Sequence, residues 1–331
     1  MYDEKKETLI RDDWEEIRGP LLTRNEVLAS LQEQPEIFRQ FEKLSLEFQE
    51  ELIAFSMGVQ GAKITYDPFF KYIFDPVIYK ENMEDFLEAI FGEEVEIIEV
   101  LPNESRRLTD DSSFLAADLL IKLRSGAIIN VEIQRVGYLF PGARCACYSS
   151  DLIMRQYSDL KSRRRREGKR FSYRDVKKVY TIVLMQRSTK EFHDLPEEYF
   201  HFSKQTFKTG LDMDLLQEYV LVPLDIFLNI PHNEISKLDA WLYFIASDKL
   251  SDIKRVCEAY PQFRRLYRDV FRFRFHPKEL VTMFSDALRL LDEGTAQLMI
   301  DEMRKELEEK DAELERLRAL LELKQNSLNG K

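Results

Sequence analysis

The stretch FLAADLLIKLRSGAIINVEIQ, residues 114–134, decides how the rest of the chain is read. It contains two short strand patterns separated by the turn signal Ser125-Gly126. In the second arm Ile129, Val131 and Ile133 alternate with Asn130, Glu132 and Gln134, so the aliphatic side chains take one face and the polar ones the other. In the first arm Leu119, Ile121 and Leu123 form the apolar set and Asp118 falls on the opposite face. Packing the apolar sets together sets Leu119 near Ile133 and gathers Asp118, Glu132 and Gln134. A two-residue loop would place Asp118 opposite Ile133 and split that group. A three-residue loop, Ser125 to Ala127, keeps it together and is the expected geometry.

Two carboxylates on one sheet face are costly unless their charge is compensated. A hard divalent cation held by carboxylates, a backbone carbonyl and water provides that compensation. The order Asp118, hairpin, Glu132-Ile133-Gln134 resembles the core motif of the PD-(D/E)xK nuclease superfamily, and within it the Rpn-type recombination-promoting nucleases, also described as transposases. Asp67-Pro-Phe-Phe-Lys71 resembles the Asp-x-x-Phe-Lys segment of that family, and Arg144 and Tyr148 stand where its following helix carries an Arg and an aromatic. The resemblance spans roughly residues 64 to 230. It departs at two places: Ala117 replaces the motif Pro, and Gln134 replaces the motif Lys.

The resemblance implies a restriction-endonuclease-like mixed β-sheet core of the α/β class, a Mg²⁺ cofactor for which Mn²⁺ substitutes, and DNA as the partner. Asp118 and Glu132 would ligate metal, with the Ile133 carbonyl as a further donor, and Asp67 and Lys71 would border the site. Gln134 would take the Lys position as a hydrogen-bonding group without charge. Lys71, or Lys122 on the Asp118 face, could then supply the missing cation.

Net charge is −11, which by itself argues against a nucleic-acid partner. The distribution argues otherwise: between Lys161 and Lys178 stand ten Lys or Arg against only Glu167 and Asp175. A local basic strip on an acidic chain is a DNA-contact signal, and it nominates Arg163, Arg164, Arg165, Arg166, Lys169 and Arg170 beside Arg144. The bland alternative is a solvated basic loop. Cys145, Cys147 and Cys257 suit reduced thiols of a cytoplasm better than a disulfide framework. No run of about 18 apolar residues predicts a membrane span, the charged N-terminus is unlike a secretory signal, and no GxxxxGK[ST] phosphate loop is present.

Four regions follow from composition and pattern: a helical extension over 1–61, a nuclease-like domain over 62–230, a helical region over 231–292, and a long helix with tail over 293–331. In the first, Asn25 is a candidate cap and Pro35 a helix start. Residues 82–91 form a helix ended by Gly92, and VEIIEVL (95–101) a strand. Residues 137–159 form a helix after a break at Pro141-Gly142, followed by the basic connection SRRRREGKRF. VYTIVLMQ (179–186) suits a central strand, and EYVLVPLDIFL (218–228) a strand that Pro223 confines to an edge or bulge. His193 and His201 read as loop residues. The aromatic-rich run YPQFRRLYRDVFRFRF (260–275) is an amphipathic helix with a basic rim, or alternatively a stacking surface for single strands. Ile300, Met303, Leu307, Leu314, Leu317 and Leu321 follow heptads, favouring self-association through a coiled coil.

The leading functional expectation is therefore a Mg²⁺-dependent DNA endonuclease. Its competitor is a weak or inactive nuclease fold serving as an assembly module, favoured by Gln134 and the net acidity. A sequence-specific DNA binder has no helix-turn-helix or zinc finger to support it.

Overall fold

The computed structural model describes residues 15–75, 78–101, 119–134, 141–276 and 278–285, with short helical pieces between 300 and 318. After a short helical stretch at 15–18 come α1 (Arg24–Gln32), α2 (Pro35–Lys43) and α3 (Leu46–Met57). Pro35 starts α2 as expected. The cap of α1 is Thr23 rather than Asn25, because Thr23 and Glu26 close a reciprocal capping box that Asn25 has no partner to make. Helices α4 (Asp67–Ile73) and α5 (Lys80–Phe91, ended by Gly92) lead into the sheet.

The strands are β1 (Ile97–Val100), β2 (Leu119–Leu123) and β3 (Ile128–Gln134), then, after helix α6 (Pro141–Arg166), β4 (Val179–Met185), short helix α7 (Lys190–His193), β5 (His201–Lys204) and β6 (Gln217–Pro223). They form one mixed sheet in the order β1-β2-β3-β4-β6-β5. The pairs β3/β4 and β4/β6 are parallel and the others antiparallel. The β3–α6–β4 unit is thus a parallel crossover, whose helix must lie across one sheet face. Pro223 ends β6 and opens α8 (Leu224–Asn229). Contrary to expectation, β6 is an internal strand, and Pro223 is tolerated because its missing N–H falls at the strand-to-helix junction. Helices α9 (Lys237–Ala246), α10 (Leu250–Ala259) and α11 (Phe263–Arg272) follow. In α11 Phe263, Tyr267 and Phe271 are buried, while Arg265 and Arg268 pair with Glu81 and Glu16. That is the amphipathic arrangement, not a stacking surface.

One sheet face carries Ile121, Ile129, Val131, Ile182 and Leu184 into an apolar core that runs from Ile17 to Phe284 and includes α9–α11. The other face is covered by α6, where Leu120, Ile128 and Val179 meet Leu152, and Val183 and Met185 meet Cys145. The heptad positions Leu317 and Leu321 lie outside the described residues. No described helix is long and apolar enough to cross a membrane.

The central hairpin pairs Leu119 with Val131, Ile121 with Ile129 and Lys122 with Ile128. The expected partner of Leu119, Ile133, is therefore wrong by two residues. The loop has the expected three residues, but they are Arg124–Gly126: Gly126 N–H donates to Leu123 C=O at 2.8 Å, and Leu123 N–H to Ala127 C=O at 2.9 Å. Gly126 has φ +88°, the left-handed position that closes a type I turn into a three-residue hairpin loop. A shift of two preserves which face each side chain takes. A Cβ on Gly126 would stand 3.0 Å from Lys177 Cγ as well as in a strained backbone region. Gly126→Ala is expected to destabilise the fold by about 1–2 kcal/mol, measured as a lower denaturant midpoint with unchanged slope.

Candidate active site

Strand β3 presents Ile128, Asn130, Glu132 and Gln134 towards α6, an apolar residue followed by three polar ones. The polar row is not a solvated face. Asn130 is fully buried, Glu132 is 4% exposed and Gln134 6%. Beside them on β4, Thr181 pairs with Asn130 in register and is equally buried. Asn130 Nδ2 donates to Glu132 Oε1 at 2.8 Å, which fixes one oxygen of the carboxylate. Among the described residues, Asn130 Oδ1, Gln134 Oε1 and Thr181 Oγ1 have no hydrogen-bond partner. Such oxygens are uncommon in a folded interior and call for an explanation such as a bound water or ion.

The start of α6 lies over this row. Burial, and secondarily the Glu132 carboxylate, push the Cys145 thiol up to about 12, while the Arg144 guanidinium opposes the shift. Both charges therefore act on the same buried thiol. Arg144 Nη2 donates to the Tyr148 hydroxyl at 2.7 Å and its guanidinium stands 5.2 Å from the centre of that ring. Arg144 and Tyr148, four residues apart, thus share one face of α6.

The same end of the sheet receives the start of α4. Thr65 Oγ1 donates to the Gln186 side-chain oxygen at 3.0 Å, and Gln186 N–H donates to the Gln134 carbonyl at 2.7 Å. Asp67 begins α4, and Lys71 is exposed on it. The Asp67 side chain lies outside the described residues, as do Asp118 and Ala117. Lys122 is engaged elsewhere, in an ion pair with Glu99 at 3.2 Å, so the suggestion that it supplies the missing cation is withdrawn.

The basic residues divide into two places. Arg144 stands near the start of α6, bonded to Tyr148. Arg163–Arg166 form the last turn of α6, which continues through a segment expected to be a loop, because arginine is a good helix former and suits the negative helix end. From Arg144 to Arg163 the helix rises about 28 Å. Lys169 and Arg170 follow beyond that end, with Lys169 paired to Glu167 and Arg164 to Asp175. The structure thus sets Glu132 and Gln134 side by side on one face of β3 under the start of α6, where Arg144 adjoins Cys145, and sets Arg163–Arg170 apart.

His193 Nε2 lies 3.2 Å from both Ser188 Oγ and Asp225 Oδ2. One ring nitrogen facing both partners cannot relay a proton between them, so this is not a nucleophile triad. Among the described residues no three His, Cys, Asp or Glu cluster as a metal site. Asn130 and Thr181 escaped the sequence reading as site residues. A polar residue within each of two runs read as central strands was the available signal.

A mixed sheet with two internal parallel pairs, flanking helices and a buried acid after a hairpin is consistent with an α/β nuclease-type fold. Residues 65–322 match the family described as PD-(D/E)XK nuclease family transposase. The chain belongs to that family, and the match continues well past residue 230 through α9–α11. No curated protein and no solved structure matches the chain.

An unfolded thiol ionises near about 8.5, whereas folded Cys145 holds its proton to about 12. Between those values the folded state binds more protons, so the Cys145 contribution to stability is complete below the lower value and declines as pH rises through the upper one. Urea midpoints from about pH 8 to about pH 11 are expected to fall, and Cys145→Ala to flatten the decline.

Proposed function

We propose that the chain is a Mg²⁺-dependent DNA endonuclease, with Mn²⁺ able to substitute, acting at the polar row of β3. The observation that supports this most is the buried Glu132 carboxylate flanked by two amide oxygens without hydrogen-bond partners among the described residues. The donors are oxygen, which suits a hard divalent cation. Asp118 is assigned as the second carboxylate because its chain neighbour Leu119 pairs with Val131, the chain neighbour of Glu132. Asp67, at the start of α4, is assigned as a third acid at the same end of the sheet.

When bound, such a cation lowers the pKa of a water and offsets charge on the scissile phosphate. The chain's own residues do the positioning. Asn130 holds Glu132 in one orientation, and Gln134 hydrogen-bonds the water or phosphate without adding charge. Arg144, and Lys71 from α4, supply positive charge to the phosphate. The end of α6 grips backbone phosphates without reading bases, so binding falls steeply with salt. The competing reading, an inactive fold that serves assembly, draws on the same burial of Glu132 and on the uncharged Gln134.

Supercoiled plasmid incubated with the purified chain and Mg²⁺ separates the two. Nicking is expected, with loss on chelation and a fall of about 10²–10³ or more in rate for Asp118→Ala and for Glu132→Ala. Calorimetry is expected to show Mg²⁺ binding that both substitutions remove. Nicking unaffected by either substitution rejects the assigned site. A wild-type chain with neither nicking nor Mg²⁺ binding favours the assembly reading. Gln134→Lys is expected to raise the nicking rate by restoring a cation next to the phosphate.

A further inference from the structure

The far end of α6 holds an arrangement that phosphate binding alone does not require. Gly168, at φ +67°, reverses the chain: its N–H donates to Arg165 C=O and the Lys169 N–H to Arg164 C=O, a Schellman close. The returning segment lays Phe171 and Tyr173 on Tyr157. Phe171 meets Tyr157 edge-on at 5.1 Å and Tyr173 at 5.1 Å, while Tyr157 and Tyr173 are near parallel, 17° apart, at 6.1 Å.

This segment is pinned. Arg164 donates twice to Asp175 Oδ2, at 3.0 and 2.9 Å, and the Gln156 side chain exchanges two bonds with the backbone of Lys177, both at 3.0 Å. Tyr173 nevertheless remains 75% exposed. An exposed ring on a fixed support, rather than on a free loop, is presented to a partner.

The surrounding charge says what that partner is. Arg163, Arg165, Arg166, Arg170, Arg174 and Lys177 are exposed. None is in an ion pair among the described residues, since Asp175 is taken by Arg164 and Glu167 by Lys169, although the Arg163 charge also acts on Glu167. Lys161 lies over the Tyr157 ring at 5.2 Å. Six exposed cations around a presented aromatic, on a chain of net charge −11, match a polyanion with planar groups. A paired duplex hides its base faces, whereas an unpaired strand offers both phosphates and bases.

We propose that the Tyr157–Phe171–Tyr173 cluster stacks an unpaired base of DNA, with the basic residues around it on the adjoining phosphates. Taken with the endonuclease reading, on which this inference rests, the substrate is DNA with a single-stranded flap, gap or tail, anchored on Tyr157 about 20 Å along α6 from Arg144. Stacking of this type tolerates any sequence.

The test is anisotropy of the full-length chain in chelator, so that no cleavage intervenes, on labelled blunt duplex, the same duplex with a single-stranded tail, and the single strand. Wild type is expected to bind the tailed and single-stranded DNA about tenfold or more tighter than blunt duplex. Tyr173→Ala is expected to remove that preference with duplex affinity and thermal melting unchanged, and Tyr173→Trp to retain it. Equal wild-type affinity for blunt and tailed DNA overturns the proposal. So does an equal loss on both in Tyr173→Ala, or tighter binding of single-stranded RNA than of single-stranded DNA. Glu132→Ala is expected to keep the preference, so failure of nicking and failure of stacking are read separately.

Discussion

The burial of the Glu132 carboxylate under α6 is the constraint on which the arrangement depends. Withdrawing a carboxylate from water costs several kcal/mol unless bonds and charge replace the solvent. Asn130 supplies a hydrogen bond at 2.8 Å, and Arg144 brings a positive charge near enough to act on the adjoining Cys145. Both sources sit on elements tied to β3, one two residues earlier on the strand and the other on the helix that follows it. The row is enclosed by apolar contacts at both ends, Leu152 with Ile128 and Cys145 with Val183 and Met185. Those contacts fix the height of α6 over the sheet, and so the space around the carboxylate.

The topology places this row where an open α/β sheet offers a site. Glu132 and Gln134 stand at the carboxyl end of β3, and Gln134 pairs with Met185 at the carboxyl end of the parallel strand β4. Chain leaving such ends must turn away, which opens room for ligands there. Thr65, held to Gln186, brings the start of α4 to the same place. Three separate parts of the sequence, around residues 65, 134 and 144, converge without any of them being a long loop.

Much of this was legible in the sequence, and the misses have physical reasons. Alternation along residues 128–134 fixed which side chains share a face, because parity follows from the pleat alone. It could not fix register, since a slip of two residues keeps every face; the position of Gly126 in the loop decided that. The basic run 163–166 read as a connection because its charges hide any apolar stripe, yet arginine favours helix and α6 carries on through it. Pro223 suggested an edge, but one missing N–H at the last residue of β6 leaves the ladder intact. The burial of Asn130 and Thr181 depends on a helix that arrives later in the chain, so no local pattern announced it.

The replacement of the motif Lys by Gln134 takes on a specific meaning in this setting. Position 134 is 6% exposed, and an ammonium there would itself need a partner to offset its lost hydration. With an amide at that place the strand adds no charge, and on the proposed reading it comes from the Arg144 guanidinium, set by its bond to Tyr148. On that reading, positive charge at the row is carried by α6 rather than by β3. The same helix carries Tyr157 with its aromatic neighbours about 20 Å away and the arginine turn about 28 Å away. On the proposed reading, a DNA strand held at that end and a phosphate met by Arg144 are fixed to one rigid element, so the helix length, more than any base contact, sets the distance between anchor and cut.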